Sequence, residues 1–253
     1  MSPISLAHGV VALAQPNSLC PLPWGVASGS PTGTAIEVEP LSAAPPSAEP
    51  TGRDDLRFIL ERESHTLRCY AGPGPQAYSA ALQLGCSLAT WPDGGMLIHG
   101  AGLALDGVGA VAALAASGGG KSTLSNLAEG FLGLSDETLL LWANDPPRIS
   151  ATPFRSTSHR EPQPRTDPLR AFLVLEKSLE PTLERLPAHE AVKRLMAQAY
   201  QLPLVIASRA AVFARASELV RTVPAYRFAF PKSPEAAVLL RRFFEQELGA
   251  PQA

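Results

Sequence analysis

The apolar run Ala110-Val-Ala-Ala-Leu114 leads through Ala115, Ala116 and Ser117 into Gly118-Gly119-Gly120, and then into Lys121-Ser122-Thr123. The first segment predicts a buried strand, the glycines a tight loop, and Lys-Ser-Thr the first turn of a helix. In that order they make a phosphate-binding loop. Without side chains in the way, backbone N–H groups can turn inward around phosphate oxygens. Ser117, Gly118, Gly119, Gly120, Lys121, Ser122 and Thr123 are the expected nucleotide contacts. Lys121 is expected to reach the terminal phosphates as a solvent-facing point charge, and the Ser122 hydroxyl to ligate Mg²⁺. The helix that follows would present its positive end to the same anion. Such loops usually begin with glycine where this chain has Ala115. Lysine occurs only at Lys121, Lys177, Lys193 and Lys232, arginine being preferred elsewhere, which makes a lysine at this place more telling.

The 253 residues suffice for one sizeable α/β domain, or one domain with an appendage. Hydrophobic residues make up 45% and charged ones 17%, which suits a soluble chain with a real core. A formal net charge of -2 gives no reason to expect nucleic acid or an anionic membrane as partner. No apolar run is long enough for a transmembrane helix, and no basic residue precedes the first apolar ones as in a secretory signal. Cys20, Cys69 and Cys86 lack metal-site spacing, which fits a reducing compartment. The expected location is the cytoplasm.

Residues 1–53 are rich in Pro, Ala, Ser and Gly and read as a weakly ordered arm, dispensable for nucleotide binding. Within it Thr34–Pro40 has a strand-like pattern and Ala44–Pro50 a linker-like one. Residues 54–253 are expected to form the nucleotide-binding domain. Leu56–Leu60 and Thr66–Tyr70 alternate as a hairpin, and Ala77–Thr90 reads as a buried helix. Met96–Gly100 is a short strand. Ala101–Leu105, the turn at Asp106-Gly107 and Ala110–Leu114 then form a hairpin leading straight into the glycine loop. That hairpin gives the loop strand an antiparallel neighbour, so the sheet is expected to be mixed. Further strands are predicted at Thr138–Trp142, Ala171–Glu176 and Tyr226–Phe230, with helices over Pro187–Tyr200 and Pro203–Val220. Ser233 and Pro234 look like the cap and first residue of a last amphipathic helix.

Gly94-Gly95-Met-Leu-Ile-His99-Gly100, the hairpin, Ser117–Thr123 and Leu134-Ser-Asp136-Glu137 follow one another in the order seen in HPr kinase/phosphorylase-like proteins. The stretch from Pro92 to Phe230 resembles most closely the small kinase-like proteins of peptide-modification cassettes, the SynChlorMet (ScmC) type. This resemblance implies an α/β (α+β) fold: a PEP carboxykinase-like, HPr kinase-like P-loop domain with a mixed sheet and flanking helices. It implies ATP and Mg²⁺ as cofactors and transfer of the γ-phosphate to a serine hydroxyl on a peptide or small protein. Asp136 and Glu137 stand where the family has paired aspartates. Asp136 is expected to act as base or Mg²⁺ partner, with Glu137 in the supporting role, since such transfer needs a carboxylate near the acceptor hydroxyl. His99 matches a family histidine that could orient the carboxylate or contact a phosphate. The expected catalytic set is thus Asp136, His99 and Lys121, and the expected metal set Ser122, Asp136 and Glu137.

Arg155, His159 and Arg160 lie in a basic, proline-rich loop and could grip phosphates, but a solvated loop has the same composition. Glu176 ends an apolar strand, as a metal-assisting carboxylate might, though glutamates are common at strand ends. Two functions stay open: a serine kinase, and a non-catalytic ATP-binding regulatory module in a biosynthetic complex, towards which Ala115 and Glu137 point. No Leu-Ser-Gly-Gly-Gln signature supports a transport-type ATPase.

Overall fold

A computed structural model of the chain describes residues 2–6, 9–14, 35–51, 53–61, 66–73, 75–116, 118–127, 130–152, 154, 165–200 and 207–249. Contacts group them into two units, Met1–Asp93 with Gln201–Arg209, and Gly94–Tyr200 with Ala210–Ala253. Each unit carries its own sheet.

In the first unit the strands are β1 (Ser2–Leu6), β2 (Gly9–Ala14), β3 (Ala35–Pro40), β4 (Glu49–Pro50), β5 (Leu56–Glu61) and β6 (Thr66–Ala71). Their spatial order is β1-β2-β3-β6-β5-β4. β5 and β6 form the expected hairpin, in register from Leu56↔Ala71 to Glu61↔Thr66. Helix α1 (Pro75–Thr90) buries Ala77, Ala81, Leu82, Leu84 and Cys86. Its small residues allow a close approach, and the Cys69 thiol donates to the Ala81 carbonyl at 3.7 Å. Burial pushes the Cys69 and Cys86 thiols up to about 12, leaving both protonated and unreactive near neutrality. Cys20 lies outside the described residues.

The composition predicts a boundary at 53/54, whereas the structure divides the chain between Asp93 and Gly94. β3, inside the supposed arm, pairs in parallel with β6 from Ala35↔Thr66 to Pro40↔Ala71. β4 pairs with β5 across the expected boundary itself. Proline and serine content reports what a segment can bury locally, not whether its backbone completes a distant ladder. A chain beginning at Asp54 would leave the β6 edge open to aggregation. We expect it to elute as aggregate on size exclusion, or to melt at least about 5 °C below the full chain.

The second unit runs β7 (Gly95–His99), β8 (Ala101–Leu105), β9 (Gly109–Leu114), α2 (Lys121–Leu127), β10 (Leu132–Ser135), β11 (Thr138–Trp142) and β12 (Arg148–Ser150). It continues with β13 (Thr166–Lys177), β14 (Thr182–Arg185), α3 (Ala188–Gln198), α4 (Arg209–Thr222), β15 (Ala225–Phe230) and α5 (Pro234–Phe243), which ends in a π-helical turn, Phe244–Leu248. β9 is antiparallel to β8 and parallel to β13, so the sheet is mixed, as the hairpin predicts. β12 and β14 are too short to stand out in the sequence. α4 starts at Arg209, and residues 203–206 of the expected helix lie outside the described residues. Ser233 sits at the N-cap position of α5 with Pro234 behind it, but its hydroxyl makes no capping hydrogen bond.

β7 and β8 are nearly one strand, interrupted at Gly100, and β10 and β11 are nearly one strand, interrupted at Asp136-Glu137. Their antiparallel register runs from Leu132↔Ala104 through Ser135↔Gly102 and Thr138↔His99 to Trp142↔Gly95. Gly100 N–H donates to the Glu137 carbonyl at 3.0 Å in the gap. From β11 the pairing passes through β12, β13 and β9 to β8, whose other neighbour is β10. Neighbouring side chains leave no room beside Gly102: a Cβ there would meet Leu139 Cδ2 at 2.8 Å and Leu134 Cβ at 2.9 Å.

A core cluster on one side of the sheet joins Val111, Ala113, Ala171, Leu173, Leu175 and Phe228 to Leu124 of α2 and to Ala236, Leu240 and Phe243 of α5. Phe131 meets Phe244 edge-on, with centroids 4.9 Å apart. Each valine, leucine or phenylalanine side chain among these stabilises the unit by roughly 1.5–3 kcal/mol through burial. α3 packs against β7, β9 and β13, burying Ala191 and Leu195.

Candidate functional site

β9 ends at Leu114, and the glycine loop begins from its end. Gly118 and Gly120 have φ of +73° and +101°, a backbone region that side chains disfavour. Gly119 N–H donates to the Ala116 carbonyl at 2.9 Å, and a Cβ there would stand 2.7 Å from the Ala115 Cβ and 2.9 Å from the Ala116 carbonyl oxygen. All three glycines are therefore required by conformation or by space. Ser117 lies outside the described residues. Ser122 is exposed and Thr123 partly buried on the first turn of α2.

Lys121 departs from expectation. Instead of facing solvent it is 8% exposed, and its Nζ donates to the Ala115 carbonyl at 2.8 Å and the Ala116 carbonyl at 3.4 Å. The loop folds back so that its own carbonyls receive the ammonium. Burial lowers the Lys121 pKa, while the charges of Glu137 and Asp136 work to raise it. The carboxylates and the lysine, from separate stretches of chain, thus act on one another.

The carboxylates occupy the interruption between β10 and β11. Ser135 Oγ accepts from the N–H groups of Glu137 at 3.4 Å and Thr138 at 3.3 Å, and donates to the Phe154 carbonyl at 2.8 Å. Thr152 Oγ1 donates to the Thr138 carbonyl at 2.6 Å, and the Thr138 and Tyr200 hydroxyls are bonded at 2.8 Å. Asp136 is buried and Glu137 partly so. His99 ends β7, opposite Thr138. Burial is the first cause of its lowered pKa, with the Lys121 charge acting in the same sense. Against these work the Glu137 charge and carbonyl and the Asp136 charge. The imidazole is therefore neutral at neutral pH.

Gln198 closes the arrangement. With its amide nitrogen turned towards them, it donates to the His99 carbonyl at 3.2 Å and the Ala115 carbonyl at 3.1 Å. Neither Gln198 nor Tyr200 belongs to a motif, and both reach the site only through the docking of α3. Ser135 carried a readable signal, since a serine followed by two turn residues commonly bonds N–H groups two and three positions on.

Glu176 belongs to a different group. Its carboxylate faces Arg227 at 3.3 Å and Arg194 at 3.8 Å, and Arg227 also meets Glu184 and Glu190. Arg165 holds Asp167 at 2.6 Å and Asp106 at 3.0 Å, so it clasps the turn at the far end of β9 from the loop. Arg155, His159 and Arg160 lie outside the described residues. Among the described residues no group of three or more His, Cys, Asp or Glu side chains could hold a metal alone. No helix among them is long and apolar enough to cross a membrane.

A mixed-sheet α/β protein with a lysine and an acidic pair gathered round a glycine loop is the class these features define. Over residues 87–233, more than half its length, the chain matches the family model described as SynChlorMet cassette protein ScmC, and it belongs to that family. No curated protein matches it.

Lys121→Met removes a buried charge and two hydrogen bonds with opposing effects on stability. We expect a melting temperature within about 3 °C of the parent, and Kd for a fluorescent ATP analogue raised at least about tenfold. His99 has a folded pKa below its ordinary value of 6.5. As pH falls through 6.5 the unfolded chain therefore takes up the proton first. The His99 contribution is full above 6.5 and is lost as pH falls through the folded value. In urea titrations at pH 7.5 and 5.5, His99→Gln should lose less stability than the parent, by at most about 1 kcal/mol.

Proposed function

We propose that the chain is an ATP-dependent, HPr kinase-like serine kinase, with a P-loop domain of the PEP carboxykinase-like kind. Its acceptor in this reading is a peptide or small protein of the cassette after which the family is named. The observation that carries the proposal is the glycine loop itself, with Gly118 and Gly120 at positive φ and Lys121 Nζ turned onto the carbonyls at its root, the charges of Asp136 and Glu137 acting on that lysine. Phosphoryl transfer needs this pairing of a cation for the phosphates with a carboxylate for the acceptor hydroxyl and metal.

The residues fit Mg²⁺ and ATP. Gly118 to Gly120 leave the loop free of side chains, and an ammonium has a third N–H beyond the two given to Ala115 and Ala116. A donor set of Ser122, Asp136 and Glu137 is too small to cage a metal, but suits Mg²⁺, which is usually shared between one or two carboxylates and phosphate oxygens. When bound, Mg²⁺·ATP supplies the γ-phosphoryl group. Lys121 would hold phosphate charge, Ser122 and Glu137, with Asp136 beside them, would favour the metal, and Asp136 would take the proton leaving the serine hydroxyl as its oxygen bonds the γ-phosphorus and ADP departs. His99, neutral, orients the carboxylates. The free Cys69 and Cys86 thiols suit the cytoplasm.

One feature favours a second reading, a regulatory module that binds ATP without transfer. Ala115 replaces the usual first glycine, and its carbonyl already holds Lys121. The two separate on Asp136→Asn, which keeps shape and removes charge. Transfer from γ-labelled ATP to the cassette peptide, read as phosphoserine by mass spectrometry, should fall about 10²–10⁴-fold. ATP affinity should change less than about threefold. A parent protein that binds ATP and labels no peptide favours the regulatory module.

A further inference from the structure

The Ala115 carbonyl, at the root of the loop, accepts from Lys121 Nζ at 2.8 Å and, with the Gln198 amide nitrogen turned towards it, from that amide at 3.1 Å. The second N–H of that amide serves the His99 carbonyl at 3.2 Å. One side chain thus spans the ends of β9 and β7, the strands that carry Lys121 and His99 to the site. Gln198 is itself fixed. It is the last residue of α3, and the next two residues are tied to β7: Ala199 bridges to Ile98, and Tyr200 N–H donates to the Leu97 carbonyl at 3.1 Å. The helix is anchored one turn earlier by Arg194, which faces Glu176 at 3.8 Å at the end of β13.

We propose that Gln198 is a positioning residue: by bonding Ala115 and His99 together it fixes the loop carbonyl that aims Lys121. The inference rests on the nucleotide-binding reading for its effect on affinity, but not for its effect on the loop. An amide suits the role because both acceptors are carbonyls and it offers two N–H donors on one planar group. A carboxylate would repel both. A protonated carboxyl would serve one of them.

The test uses the full chain with Gln198→Met, close in volume and without donors, and Gln198→Glu. Hydrogen exchange of the nucleotide-free protein, followed by mass spectrometry, should show peptides covering 115–121 exchanging at least about threefold faster in Gln198→Met. Melting temperature should stay within about 3 °C. Unchanged exchange there, or faster exchange spread over the whole second unit, overturns the proposal. With a fluorescent ATP analogue, Kd should rise about tenfold in Gln198→Met at all pH values, the size expected for losing one or two hydrogen bonds. In Gln198→Glu, whose carboxylate has no donor for either carbonyl, it should rise by a similar factor at pH 8. Equal affinity in all three proteins also overturns the proposal. If the parent binds no nucleotide, the ATP reading fails while the exchange result still decides the role of Gln198.

Discussion

The second unit depends on the antiparallel alignment of 95–105 with 132–142, which bends where it is interrupted at Gly100 and at Asp136-Glu137 and resumes in the same register beyond. Two consequences follow from its register. The bend must fall where side chains are small, and Gly100 and Gly102 supply that on one strand. On the other strand the bend costs two residues their regular pairing, and those residues are Asp136 and Glu137. A buried N–H or carbonyl without a partner is expensive, so Ser135 and Thr152 take up the backbone groups that the bend would strand. The acidic pair is held by the same bonds that repair the sheet.

The same economy governs the loop. An ammonium removed from water needs compensation, and Lys121 finds it in the carbonyls of Ala115 and Ala116. That arrangement joins the charge state of the lysine to the shape of the loop, and through Gln198 to the end of β7. Carboxylates, lysine and imidazole then share one electrostatic environment. Their opposing effects on His99 leave burial as the deciding influence, and the ring stays neutral.

Much of this was legible because local signals and global structure agree. The hairpin with its turn at Asp106-Gly107, the strand at Thr138–Trp142 and α1 all carry the periodicity of the element they form, so each could be read from a short window. Lys121 and Asp136 were legible as residues, since their motifs are contiguous. Their geometry was not: whether a lysine faces water or its own loop depends on a backbone that folds back, which spacing does not encode. β3 shows the opposite failure. Its pattern was visible, but its surroundings of proline and serine masked its membership of a six-stranded sheet.

By itself the sequence determined the order strand, glycine loop, helix, the mixed character of the sheet that follows from a hairpin entering that loop, and the identity of the charged groups. These are properties of neighbouring residues, decided by steric demands on glycine and by the alternation of side chains along a strand. Only the tertiary structure decided which distant segments share a ladder, where the chain divides, and that Gln198 and Tyr200 reach the site. Backbone hydrogen bonds are chemically alike at every residue, so the choice of partner falls to the packing of the whole unit.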